Sequence, residues 1–186
     1  MQIKEVESHI ENILSKRQGA RYDSYISLLD ETNKKVTWAY RYWDKLEELL
    51  TEGDDHQRSI AAQLLANLTK SDPEGRMNKT LLKLIEETKD ERFVSAHHTL
   101  QCLWKVGIEN EELESILLDG LIDRYVECEN EKNFTLIRYD IHLVLRKVYD
   151  VSNSHEIVTA TKEFIFEEED PQFKRKLEKV WSDIEL

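Results

Sequence analysis

The sequence predicts an all-α fold of antiparallel helix pairs stacked into an α-α superhelix, and three observations carry that prediction. Glycine and proline are scarce, five and two in 186 residues, and these residues supply most tight turns between strands. Apolar residues recur at helical spacing along nearly the whole chain. Parts of the chain also repeat at offsets of 35 and 41 residues, the size of a two-helix repeat unit.

Taken in order, Ile3, Val6, Ile10, Ile13 and Leu14 keep a helical spacing up to Gly19, which reads as a left-handed stop. A shorter run follows at Tyr22, Tyr25, Ile26 and Leu29. The next helix is expected from about Lys34 to Glu52, closed by Gly53, and Asp54 and Asp55 offer caps for a helix carrying Ile60, Ala61, Leu64, Leu65 and Leu68. Ser71-Asp72-Pro73-Glu74 and Asp170-Pro171 each put a cap residue before a proline at the first helical position, where no amide hydrogen is needed. Between them, helices are expected from Asp90 to Gly107, Glu109 to about Glu129, Asn133 to Tyr149 and roughly Ser152 to Phe166. No linker divides the chain, so residues 1–186 read as a single domain, with 1–33 as N-terminal capping helices and 34–186 as repeats.

The repeat is visible in the letters. Asp55, Ala61, Leu65 and Leu68 stand 35 residues before Asp90, Ala96, Leu100 and Leu103. Glu131, Phe134, Ile137, Ile141 and Val144 lie 41 beyond Asp90, Phe93, Ala96, Leu100 and Leu103, and a weaker echo starts at Asp170 and Phe173. Asp55 with Ala61-Ala62, and Asp90 with Ala96, resemble the HEAT family of ARM-type helical repeats, whose second helix commonly starts with an acid followed by a small residue and a leucine-rich face. Ile137 and Lys176 depart from the pattern where the small alanine would sit. The chain is also similar to small bacterial HEAT-like proteins that carry no assigned activity. The resemblance implies a right-handed solenoid of about five antiparallel helix pairs, and no mechanism.

The formal net charge of −12, from 38 acidic and 26 basic residues, repels phosphate backbones and disfavours nucleic acid. Cys102 and Cys128 show no CxxC spacing, which fits a reducing compartment. Glu5 and Glu7 interrupt the run a secretory signal would need, and no stretch reaches ~18 consecutive apolar residues. A cytoplasmic protein is the expectation.

In such a stack the second helices line a concave groove. The equal offsets place Gln63, His98 and Tyr139 on one row of it, Ala66, Gln101 and His142 on the next, and the cations Lys70, Lys105 and Arg146 on a third. With Arg138, these residues make a candidate groove for a protein or peptide, and the cationic row suits an acidic segment. The same cations also complement the negative ends of their helices.

Catalytic readings find less. His98 and Cys102 stand four apart on one helix, but two ligands do not make a metal site. The iron-binding hydroxylases of HEAT type use repeated His-Glu dipeptides, and only His155-Glu156 is present. Trp38, Tyr40, Tyr42, Trp43 and Asp44 resemble the aromatic and acidic residues with which HEAT-like alkylation-repair glycosylases hold a damaged base, although Trp38, Tyr42 and Leu46 also make a plain packing stripe. Arg138-Tyr139-Asp140 could anchor a partner or bond between repeats. No nucleophile motif or Gly-rich phosphate loop is present. The expectation is a non-catalytic binding scaffold without metal or cofactor; a glycosylase-type enzyme and a purely structural subunit are the alternatives.

Overall fold

Helices without strands are what the described residues show in the computed structural model, which describes residues 1–15 and 18–184. None of these helices is long and apolar enough to cross a membrane. The chain forms two units, Met1–Thr99 and Leu100–Leu186.

The first unit contains α1 (Ile3–Leu14), α2 (Gln18–Glu31), α3 (Ala39–Glu52), α4 (Asp55–Leu68), α5 (Met77–Glu87) and most of α6 (Phe93–Cys102). Here α1 packs on α2 and α3 on α4, while α2 lies against α4 and α3 against α5. Its core is built from Val6, Ile10, Leu28, Trp43, Leu46, Leu50, Leu64, Leu65, Leu81 and Leu84, all buried. Ala61 and Ala96, the small residues of the repeat, are buried as well.

The second unit takes α6 onward through α7 (Trp104–Gly107), α8 (Glu111–Glu127), α9 (Phe134–Ser152), α10 (His155–Glu167) and α11 (Pro171–Val180). Here α8 packs on α9, α9 on α10 and α11, and α7 sits against both α8 and α9. That junction leaves no room for a side chain at Gly107: a Cβ there would stand 2.7 Å from Leu117 Cδ2 and 3.0 Å from Val148 Cγ2.

Local caps account for several helix ends. Asp54 accepts from the Gln57 amide at 2.9 Å, and Gln57 reaches back to the Asp54 amide at 3.0 Å. Asn110 caps α8 through the Leu113 amide at 2.9 Å, and Asp170-Pro171 starts α11 as the sequence predicts. Asp55 opens α4, and Asp90 and Glu131 each stand three residues before a helix start. Asn153 closes α9 in the left-handed region, φ 55°.

Five expectations need correction. Gly19 does not end α1, which stops at Leu14; it lies in the first turn of α2. The buried positions of α2 are Arg21, Ser24 and Leu28 rather than the tyrosine run, and Tyr22 and Ile26 face solvent. Helix α3 begins at Ala39, five residues after Lys34. Pro73 does not occupy the first turn of a helix, because the chain turns through Gly75 at φ 70° and α5 starts at Met77. Asp72 still caps it, accepting from the Met77 amide at 2.7 Å and from the Tyr40 hydroxyl. The helix expected from Asp90 to Gly107 is two, parted at Leu103, whose amide bonds the carbonyl three residues back.

Candidate functional site

Three arginines repeat one device. Arg21, near the start of α2, donates to the Ser15 carbonyl just past α1 at 2.7 Å and to both oxygens of Asp54, the cap of α4, at 2.9 Å. Arg58 in α4 donates to the Gly53 carbonyl just past α3 at 2.8 Å and takes the Asp90 carboxylate at 2.7 and 3.0 Å. Arg138 in α9 donates to the Tyr125 carbonyl in the last turn of α8 at 3.2 Å and lies 3.7 Å from Glu168, which follows α10. Each guanidinium thus satisfies a carbonyl that a helix end leaves open and clasps an acid ahead of a later helix. Burial, the largest single effect, acts to raise the Asp90 carboxyl, but the hydrogen bonds from Arg58 and the Arg92 amide, with the charges of both arginines, together hold the group below its ordinary range. Glu87 Oε2, 3.6 Å from Arg58, has no hydrogen-bond partner; burial and the neighbouring Asp90 charge raise the carboxyl to about 7.

Of the groove residues expected in the first unit, Gln63 is tied down, accepting from the Tyr25 hydroxyl at 2.8 Å and donating to Ser59 at 3.2 Å. Lys70 donates to the Asn33 carbonyl at 3.2 Å. His98 is exposed, with its pKa lowered by partial burial and by His97 beside it. Asn67 and Ser59, polar residues on the same helix as Gln63, are buried. Asn67 donates to Thr32 Oγ1 at 3.0 Å, so the core here carries a polar contact that an apolar count cannot see.

In the second unit Gln101 is exposed and Lys105 half-buried. His142 is not a groove residue: it is fully buried, its Nδ1 accepting from the Trp181 indole at 3.0 Å and its ring edge-on to those of Tyr125 and Phe164. Burial pushes its pKa down to about 3. Arg146 is held by Asp183 at 2.5 and 2.8 Å, Asp150 at 2.7 Å and the Val180 carbonyl at 3.1 Å. Tyr139 lies under the Lys176 ammonium, 3.7 Å from its ring centre. The Cys102 thiol is buried and raised to about 12, so it is protonated rather than a ready metal ligand. Trp38, Tyr42 and Trp43 are core residues, and the Trp43 indole donates to Thr80 at 3.0 Å.

What the second unit does present is a cavity of about 630 Å³ beside Arg138, between the end of α8, the start of α9 and the end of α10. Its aromatic wall is Tyr125 stacked on Phe164, centres 3.9 Å apart and planes 6° apart. The Arg138 guanidinium lies 4.6 Å from the Tyr125 ring and 5.5 Å from that of Phe134. Glu129, Glu167, Glu168 and Glu169 complete the charged lining. Val126 at its edge is 62% exposed and Phe166, next to Glu167, is 83% exposed. Of these residues the sequence reading singled out only Arg138. The run Glu167-Glu168-Glu169 was a visible signal, but nothing local sets it beside Tyr125.

No family model matches the chain, and no curated protein matches it in sequence. Its resemblance to the HEAT family therefore rests on Asp55, Ala61, Asp90 and Ala96 and their neighbours.

Proposed function

We propose that the chain is a non-catalytic binding module, each unit a short stack of HEAT-like helix pairs, that captures a segment of a partner protein. Helix-on-helix contacts between successive pairs, α2 with α4 and α3 with α5 in one unit and α9 with α11 in the other, support the stacked reading. The observation that carries the binding reading is the aromatic and carboxylate cavity at Tyr125 and Glu168, with Val126 exposed in its lining and Phe166 exposed beside Glu167 in the sequence. Large apolar side chains left in water beside a recess suit a contact surface. The chemistry of the partner follows the charges that are free. Lys70 and Arg146, two of the three cations that suggested an acidic partner, are bound to their own chain, whereas the carboxylates at the cavity rim are exposed.

A photo-crosslinking residue placed at Phe166 tests this. One recurring polypeptide should be labelled from that position in cells, and not from Leu82, a solvent-facing apolar position in the first unit. Equal labelling from both positions would refute the reading.

A further inference from the structure

The cavity beside Arg138 has a deficit that specifies its ligand. The Tyr125 hydroxyl oxygen and Glu168 Oε2 are both buried and neither has a hydrogen-bond partner. Tyr125 is 5% exposed and the Glu168 side chain 9%. Buried polar atoms are normally satisfied, and a lone unsatisfied carboxylate oxygen is costly. Arg138, 3.7 Å away, supplies charge to Glu168 but not an N–H within bonding distance. The guanidinium is committed elsewhere, to the Tyr125 carbonyl and to the ring faces of Tyr125 and Phe134.

The remaining lining sets the sign of what would fill the deficit. Four glutamates face one arginine across the cavity, and Glu129, Glu167 and Glu169 are exposed at its rim. An anion would meet repulsion from all four, and a neutral group would gain nothing from the field. A cation with N–H donors answers the charge and the unpaired oxygens: the carboxylates and the Tyr125 hydroxyl oxygen can accept its hydrogens.

We infer that this cavity receives a guanidinium or alkylammonium group, its N–H donors taken by Glu168, the Tyr125 hydroxyl oxygen and the rim glutamates. The inference rests on the reading of the chain as a partner-binding module, and the source of the cation is then an arginine or lysine side chain. Val126, in the cavity lining, is exposed and open to the polypeptide that would carry it.

The test is an NMR titration of the full ¹⁵N-labelled chain with butylguanidinium, butylammonium and butyrate. The cations should shift the Tyr125, Phe164 and Glu168 amides saturably, and butyrate should not. Glu168→Gln should weaken cation binding at least tenfold. The exposed double substitution Glu167→Gln with Glu169→Gln, which places no demand on folding, should weaken it several-fold. Glu111→Gln, on the separate acidic recess at the start of α8, should leave it unchanged. No saturable shift at the three amides, or equal weakening by Glu111→Gln, overturns the site. Acetyl-Gly-Arg-Gly-amide and a hexapeptide centred on one arginine separate the site from the wider reading. A hexapeptide no tighter than butylguanidinium would leave the cation site standing and remove the protein-binding function. A peptide that binds while shifting other amides would do the reverse.

Discussion

Acidification probes the core of the second unit through a single ring. The buried His142 Nδ1 accepts from the Trp181 indole, which can only donate, so the histidine proton sits on Nε2, where no hydrogen-bond partner meets it. A second proton would place a cation among Tyr125, Phe164 and Trp181, and burial therefore lowers the pKa from 6.5 to about 3. In the unfolded chain the same imidazole titrates at its ordinary value. Below that value the unfolded state gains a proton that the folded state does not. Stability from this group is present above 6.5 and is lost as pH falls toward about 3. At pH 5, about 1.5 units below the unfolded pKa, the loss is about 2 kcal/mol. Glu87 works in the opposite direction. Its folded pKa is raised to about 7 from 4.5, so its contribution grows as pH falls through that interval. The parent curve alone would mix the two. His142→Gln separates them, since an amide oxygen can still accept from Trp181 but does not titrate. Urea unfolding followed by far-ultraviolet circular dichroism, at pH 7 and pH 5, should show the variant losing about 2 kcal/mol less than the parent. Parallel changes in the two proteins would refute the neutral, buried state of His142.

Gly107→Ala should destabilise by roughly 1–3 kcal/mol, because its Cβ meets Leu117 and Val148 at 3.0 Å or less; Gly19→Ala, with nothing within 4 Å, should be neutral or stabilising in the same thermal melts. Arg58→Ala leaves Asp90, whose side chain is 3% exposed, charged and without its partner, and should cost about 3 kcal/mol by denaturant unfolding. Arg58→Lys should recover only part of that, since one ammonium cannot take both Asp90 oxygens and the Gly53 carbonyl in the same geometry. Ala96→Leu should overpack a buried position and cost on the order of 1–3 kcal/mol; an unchanged denaturation midpoint would show that the site has room.

The sequence by itself determined the helices and most of their limits. Asp54 with Gln57, Asn110 with Leu113, and Asp170 with Pro171 act within one helical turn, so their chemistry is written in neighbouring letters. It also determined that Ala61 and Ala96 would be buried, because apolar periodicity marks the inward face of a helix. Where that face carries polar residues, periodicity misleads. Arg21 and Ser24 are buried because Asp54, Ser15, His9 and Asn12 are there to bond them, and Tyr22 and Ile26 are turned out in exchange. His142 looked like a groove residue by its offset from Gln101, yet Trp181, 39 positions on, supplies the donor that makes its burial tolerable. Arg146 looked like a free cation, and Asp183, 37 positions on, binds it. The cavity at Tyr125 and Glu168 belongs to the same class of outcome. A hydrogen bond or an ion pair can offset the desolvation of a polar group only where the partner arrives in space. That arrival depends on which helix packs beside which, a choice made by the tertiary structure alone.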